Sequence, residues 1–397
     1  MSGPDDRRPM GDQDRQPTAD DGSQTGAGAG HDAAETRPLA IRDATPPEMS
    51  LGRRIRRPRT IISILVPIFV LVLLAVSLPG FKLDKLPGLI LAANPGLLLA
   101  AFLVYYATFP LRGLRWRLIL RGAGHSVSLR DSTEIIFISW LVNCVVPAKL
   151  GDVYRAWLLR ANFAVSLSRT LGTVFIERIF DLFVIVLMGL AAGFWSFRSG
   201  MPREVQIIFV LGFIVVVLLA LALFTLRNFG RRLLDVLPVP VRLVELYERF
   251  EEGVFGIGGR QIPIVGIITV AIWVAESLRL YLVVLALGFP DLRIGLSGVT
   301  FVALAGSLLT AIPLTPAGLG FVEGAVIGLL TAVYLVPETD ALAITVVDRA
   351  ISILTVIIIG SIVYVLSPKT KGGATGAPVA EETARAVGAP VRDGEPI

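Results

Sequence analysis

The chain has 397 residues, 54% of them hydrophobic and 17% charged, with a formal net charge of +5 and a mean hydropathy of +0.71. That is too apolar for a soluble domain of this length and reads as a polytopic helical membrane protein. The positive balance gathers beside apolar segments, as in cytoplasmic loops that meet anionic lipid headgroups, so nucleic acid is not an expected partner. Cys144 is the one cysteine, and the two histidines, His31 and His125, lie in polar stretches. No disulfide, metal site or cofactor is expected from such a set.

Residues 1–52 are rich in Gly, Asp, Pro and Thr without apolar periodicity, and read as a disordered cytoplasmic tail. They are not a signal peptide, because the basic region and the apolar stretch come only afterwards. Arg53, Arg54, Arg56, Arg57 and Arg59 precede the apolar run Ile61–Leu78, long enough to cross a slightly thinned bilayer at about 1.5 Å per residue. A second span, Pro95–Leu111, ends in Arg112, Arg115, Arg117 and Arg121, which marks a cytoplasmic end. Ile135–Val146 is short for a crossing and suits a re-entrant element.

Leu171–Phe194 and Val205–Leu226 are full spans. Six arginines between 227 and 260 place that loop in the cytoplasm. For this parity, residues 131–170 cross an even number of times, which a re-entrant hairpin satisfies. Val241–Phe255 alternates apolar and charged residues at helical spacing, so residues 241–256 read as a cytoplasmic surface helix. Ile264–Leu287 is a span carrying Glu276 and Arg279. Leu296–Val336 is apolar but broken by Pro313, Pro316, Gly318 and Gly320, and Ala341–Leu366 is the last span, with Asp348 and Arg349. Residues 367–397 read as a second disordered cytoplasmic tail. The expected fold of 53–366 is therefore all-α: about six full spans plus two re-entrant broken-helix segments, with both termini on the cytoplasmic side of the plasma membrane.

The stretch Asn143–Asp181 organises this plan. It carries Lys149, Asp152, Arg155, Glu177, Arg178 and Asp181 among residues apolar enough for a membrane interior. A charge near the bilayer centre costs about 2.5–3.5 kcal/mol even on lenient scales, so such groups face a bundle interior or a wet cavity. Asn143, Pro147 and Gly151 mark a break in the same place, and broken backbone at membrane depth needs protein or a cavity to satisfy it.

Pro147-Ala-Lys-Leu-Gly-Asp-Val is echoed by Pro316-Ala-Gly-Leu-Gly-Phe-Val. Arg112 precedes Pro147 by 35 residues (147 − 112) and Arg279 precedes Pro316 by 37 (316 − 279). Glu177-Arg178 begins 30 residues after Pro147 (177 − 147), and Asp348-Arg349 begins 32 after Pro316 (348 − 316). The landmarks define repeat halves at about 95–195 and 262–366. The expected arrangement is inverted, the first broken copy entering from outside and the second from the cytoplasm, as in transporters with a midplane site.

These residues also carry a resemblance. The run P-x-x-L-G-[DE]-x-x-R-A-x-L-L-R from Pro147 to Arg160 is similar to the lysylphosphatidylglycerol synthase transmembrane-region family, also called flippase-like. So are E-R-x-x-D (Glu177, Arg178, Asp181), P-x-G-L-G-x-x-E (Pro316, Gly318, Gly320, Glu323) and D-R-x-x-S (Asp348, Arg349, Ser352). The resemblance implies a prokaryotic membrane protein that moves lipids or lipid-linked intermediates. The namesake enzymes add a soluble aminoacyl-transfer domain. Only a short tail follows Leu366 here, so lysyl transfer is not carried over.

The expected substrate is an anionic phospholipid or a prenyl-phosphate intermediate, and the expected site comprises Lys149, Asp152, Arg155, Glu177, Arg178, Asp181, Glu276, Arg279, Glu323, Asp348 and Arg349. Lys149 and Arg155 either bind a lipid phosphate or mark a cytoplasmic mouth. Of the arginines near the first break, Arg155 is expected to matter more than Arg160. Glu177 and Asp181 either relay protons or pair with Arg178, Arg155 or Arg349, and pairing is the commoner case. Asn143 and Glu323 flank the breaks, where their polar groups suit freed backbone amides. No catalytic constellation stands out. A polyprenyl-phosphate-dependent glycosyltransferase, or a membrane subunit supporting one, remains the alternative, with a glycosyltransferase or a second copy of the chain as protein partner.

Overall fold

The computed structural model describes residues 83–371, apart from 147–148, 199, 201, 237–239, 290–293 and 311–317. Both expected tails, save residues 367–371, the run Ile61–Leu78, and Pro147, Pro313 and Pro316 lie outside the described residues. Those described form helices and connecting turns, with no strand among them. A short α1 (Leu86–Ala92) leads into α2 (Pro95–Gly122), followed by α3 (Leu129–Val145), α4 (Leu150–Phe163) and α5 (Leu167–Ser196). Then come α6 (Arg203–Val236), α7 (Val241–Phe255), α8 (Gln261–Leu287), α9 (Leu296–Leu309) and α10 (Phe321–Ala332). The last long helix is α11 (Glu338–Arg349), a π-helical turn (Ala350–Leu354) and α12 (Thr355–Leu366).

Local chemistry sets several boundaries. Asn94 accepts the Gly96 and Leu97 amides at 2.9 and 3.2 Å, and Pro95 opens α2 where its missing N–H has no partner to lose. Ser128 accepts the Asp131 amide at the start of α3. Three helical stretches, Pro95–Gly122, Gln261–Leu287 and Glu338–Leu366, are long and apolar enough to cross a membrane. Leu187, Phe213, Ile267, Ile358 and Ile362 are exposed, while buried ion pairs lie within the apolar core. Apolar outside and charged inside is the arrangement a lipid solvent favours.

Helices α2–α5 and α8–α12 follow one order: a long helix, a helix running to a break, a short helix after it, and a second long helix. The two leading helices, α2 and α8, are antiparallel along their length. The Asn94 N–H donates to the Ala286 carbonyl at 2.7 Å at one end, and Ile119 packs with Val265 at the other. Hairpin α3–α4 hangs from the end that holds the C-terminus of α2. There Lys369 Nζ meets Asp131 at 2.9 Å and Glu134 at 2.6 Å, and Asn162 Nδ2 donates to the Lys369 carbonyl at 3.2 Å. Hairpin α9–α10 hangs from the opposite end, where Tyr334 meets Ser196 at 3.1 Å and closes over Gly298.

The first break thus enters from the same end as the arginines of α2, which the expected entry from outside does not match. It does so because the six residues 123–128 between α2 and α3 reach only about 20 Å and cannot recross a bilayer. The apolar element expected at Ile135–Val146 also begins earlier, at Leu129, since the cap at Ser128 starts the helix in polar sequence. The amphipathic α7 forms as expected over Val241–Phe255 and packs its end against α5. A Cβ at Gly253 would lie 2.1 Å from the Arg169 carbonyl and one at Gly172 2.2 Å from the Phe250 carbonyl, so the two backbones meet where neither has a side chain.

Candidate functional site

The two hairpin tips meet at a cavity of about 340 Å³, walled by α2, α5, α8 and the π-helical turn. Each tip carries a device that satisfies its broken backbone. Asn143 Oδ1 accepts the Gly151 amide at 2.8 Å, and Ser139 Oγ donates to the Gly151 carbonyl at 2.8 Å. A Cβ at Gly151 would stand 2.1 Å from the Ser139 carbonyl, so glycine permits this approach of α4 to α3. Across the cavity, Glu323 Oε2 accepts the Gly320 amide at 2.6 Å, where Gly320 has φ 87°. The π-helical turn begins just after Arg349 and brings Ser352 and Ile353 to the cavity wall. Tyr105 OH donates to the Ser352 carbonyl at 3.0 Å, which supplies a partner inside this widened turn.

Ion pairs surround the cavity in two matching sets. In the first half Arg178 holds Asp152 with two hydrogen bonds, at 3.1 and 2.8 Å, and Arg115 meets Glu177 at 2.9 Å. In the second half Arg349 meets Glu323 at 2.9 Å and Arg279 meets Asp348 at 3.2 Å. Asp152, Glu177 and Arg178 each stand 171 positions before Glu323, Asp348 and Arg349 (323 − 152, 348 − 177, 349 − 178). Arg112 and Glu276, at 2.7 Å, link α2 to α8 between the sets. Arg112 also stacks on Trp140 at 4.5 Å and Arg279 on Tyr105 at 5.1 Å.

Of the residues expected at a binding site, Lys149, Asp152, Arg178, Asp181, Glu276, Arg279 and Arg349 line the cavity. Arg155, Glu177, Glu323 and Asp348 are absent from its wall and stand behind it as partners. Arg155 is 1% exposed, pairs with Glu177 at 3.1 Å and lies over the Trp116 ring at 4.8 Å. That placement puts it behind the cavity wall, because the helical turn after Gly151 carries it away from the tip. Asn143 and Gly318 line the cavity as well, while Gly151 and Gly320 shape the tips beside it.

Sequence reasoning passed over Arg112 and Arg115, read there as markers of a cytoplasmic rim. Arg115 is fully buried and donates to Asp181 Oδ1 at 2.6 Å, Glu177 Oε1 at 2.9 Å and Thr269 Oγ1 at 3.1 Å. Trp273 Nε1 adds a 3.0 Å bond to Asp181. The available signal was the three-residue spacing of Arg112 and Arg115, which puts both on the helix face that meets α8.

The arrangement supplies charge-assisted contacts, hydroxyls and a tryptophan-lined wall, with its carboxylates already held by arginines. Arg279 is 8% exposed, and its Nε and Nη1 have no hydrogen-bond partner among the described residues. Its contacts with Glu276 and Asp348 are charge contacts. No group of three or more His, Cys, Asp and Glu side chains among the described residues is placed to hold a metal ion.

Comparison with known proteins places this geometry in a lineage. Residues 61–360 match the family model described as the lysylphosphatidylglycerol synthase TM region. A UPF0104 membrane protein of Methanocaldococcus jannaschii is 35% identical over 223 residues, 56% of this chain and 92% of that protein. Glycosyltransferase AglD of Haloferax volcanii is 30% identical over 303 residues, covering 67% of this chain and 48% of AglD, so the match spans about half of that relative's length. A UPF0104 membrane protein of Methanothermobacter thermautotrophicus is 28% identical over 282 residues, 66% of this chain and 80% of its own. The chain belongs to the lysylphosphatidylglycerol synthase TM-region family of membrane proteins.

Proposed function

We propose that this family member is a transporter that moves an anionic phospholipid or a prenyl-phosphate intermediate across the membrane. The observation that carries the reading is the charge-lined cavity at the meeting point of two hairpin tips that enter from opposite ends of the bundle. Antiparallel leading helices and the equal spacing of Asp152, Glu177 and Arg178 from Glu323, Asp348 and Arg349 support an inverted repeat, the architecture that opens one midplane site to each side in turn. A volume of about 340 Å³ suits a phosphorylated headgroup, with the hydrocarbon chains left in the bilayer. The full plan is then six spans and two re-entrant hairpins in a plasma membrane. The arginine-bearing end of α2 and both termini face the cytoplasm under the positive-inside rule.

The decisive experiment uses the purified chain in liposomes with a fluorescent anionic lipid. Transport changes the lipid's distribution between leaflets and leaves its mass unaltered. A second reading, a membrane unit supporting prenyl-phosphate-dependent glycosyl transfer, is favoured by the match to AglD. A new covalent product from prenyl phosphate and a sugar donor, without lipid movement, overturns the transport reading.

A further inference from the structure

The two ion-pair sets are balanced: six arginines, 112, 115, 155, 178, 279 and 349, face six carboxylates, 152, 177, 181, 276, 323 and 348. One further cation lines the cavity, Lys149. No carboxylate of the described residues lies within 4.0 Å of its ammonium. The site as a whole therefore carries one uncompensated positive charge, and a cavity at membrane depth holds such a charge at a cost unless an anion joins it.

The backbone at this lysine adds an independent observation. Lys149 opens α4 in the left-handed region, at φ 50° and ψ 35°. Gly320, 171 positions later (320 − 149), opens α10 at φ 87° and ψ −50°, and Gly318, opposite Lys149 in the repeated Pro-Ala-x-Leu-Gly run, has φ 74°. Both breaks thus need positive φ at the same place, and the second half meets the need with the residue that has no Cβ. Among the described residues, the other non-glycine residues with positive φ, Ala164 and Leu335, follow helix C-termini, where left-handed ends are common. At position 149 a lysine stands where glycine would relieve the backbone.

We propose that Lys149 is the anion anchor of the cavity. Its ammonium takes the phosphate oxygens of the headgroup, and Arg279, which lines the same cavity, adds positive charge on the facing wall. This deepens the transport reading and rests on it for the lipid nature of the ligand. The first half supplies the anchor and the second half supplies glycine, so the matched halves are unequal where the ligand sits. A lysine suits the task because a compact charge on a flexible stem follows a phosphate as the cavity changes shape, whereas a guanidinium fork fixes one geometry.

The test compares the full chain with Lys149→Gly and Lys149→Arg in detergent micelles, by calorimetric titration and thermal unfolding. The probes are dioctanoyl phosphatidylglycerol, dioctanoyl phosphatidylcholine and inorganic phosphate. Lys149→Gly should weaken phosphatidylglycerol binding by about tenfold or more, the effect of losing a charge-assisted hydrogen bond. It should leave the unfolding midpoint unchanged or raised, because the strained turn relaxes. Lys149→Arg should keep most of the affinity, and phosphatidylcholine should respond little to either change. Wild-type binding in Lys149→Gly overturns the proposal, and so does a lowered midpoint, which would give the lysine a structural role. Inorganic phosphate bound as tightly as the lipid, and lost in Lys149→Gly, would uphold the anchor and sink the lipid reading. Lysine-dependent lipid binding without lipid movement in liposomes would uphold the anchor and sink transport.

Discussion

Replacing Arg115 by methionine, which keeps an unbranched apolar stem and removes the guanidinium, probes whether the buried network holds the bundle together. Arg115 has no exposed surface and donates four hydrogen bonds, two of them to Asp181 at 2.6 and 3.2 Å. Removing one partner of a buried pair costs about 3–5 kcal/mol, because the other charge stays buried. Here each carboxylate keeps help: Glu177 retains Arg155 at 3.1 Å, while Asp181 retains Trp273 Nε1 at 3.0 Å and Arg178 at 3.5 Å. The loss should fall at the lower end, about 3 kcal/mol. Thermal unfolding in detergent, followed by tryptophan fluorescence, should show a midpoint several degrees lower. Adding Glu177→Gln to Arg115→Met should regain part of the loss, since it restores the charge balance of the network and the two sites are coupled. A wild-type midpoint for Arg115→Met would refute the structural role of this network.

Two further outcomes follow from the same physics. Gly151→Val should lower stability by about 1–3 kcal/mol, since its Cβ would collide with the Ser139 carbonyl, whereas Gly324→Val, with open space at its Cβ, should be milder; equal unfolding midpoints would contradict the close approach of α4 to α3. Burial and the neighbouring Arg169 guanidinium hold His125 below its usual pKa, so the folded chain keeps it neutral where the unfolded chain protonates it. Stability from this site should fall as pH drops below about 6.5, and His125→Ala should flatten that part of a pH–stability curve.

Much of this fold is written in local sequence. Hydropathy marks the long helices, while Asn143, Gly151, Gly318 and Gly320 mark the tips, because breaks in an apolar run carry their own chemistry. The amphipathic α7 is legible from its period alone. What local sequence does not carry is how charges are shared among helices distant in the chain. Arg115 looks like any arginine at the end of a span until antiparallel packing of α2 on α8 carries it past Thr269 to Asp181. Arg155 and Lys149 are six positions apart and equally basic, yet one lies over Trp116 with Glu177 and the other reaches the cavity wall. Which end of the bundle the first break hangs from turns on the short link between α2 and α3.

Alternate opening of the central cavity is most directly tested by the accessibility of Ser307, which lines it from α9. In a Cys144→Ser background, single cysteines at Ser307, Ser126 and Ser196 would be labelled with a small charged thiol reagent in right-side-out and inverted vesicles. Ser126, beside the C-terminus of α2, and Ser196, at the far end of α5, report the two ends. Each end marker should react from one side only, on opposite faces, while the cysteine at 307 should react from both. Reaction at 307 from a single face, with or without added anionic lipid, would contradict a site that opens to each side in turn.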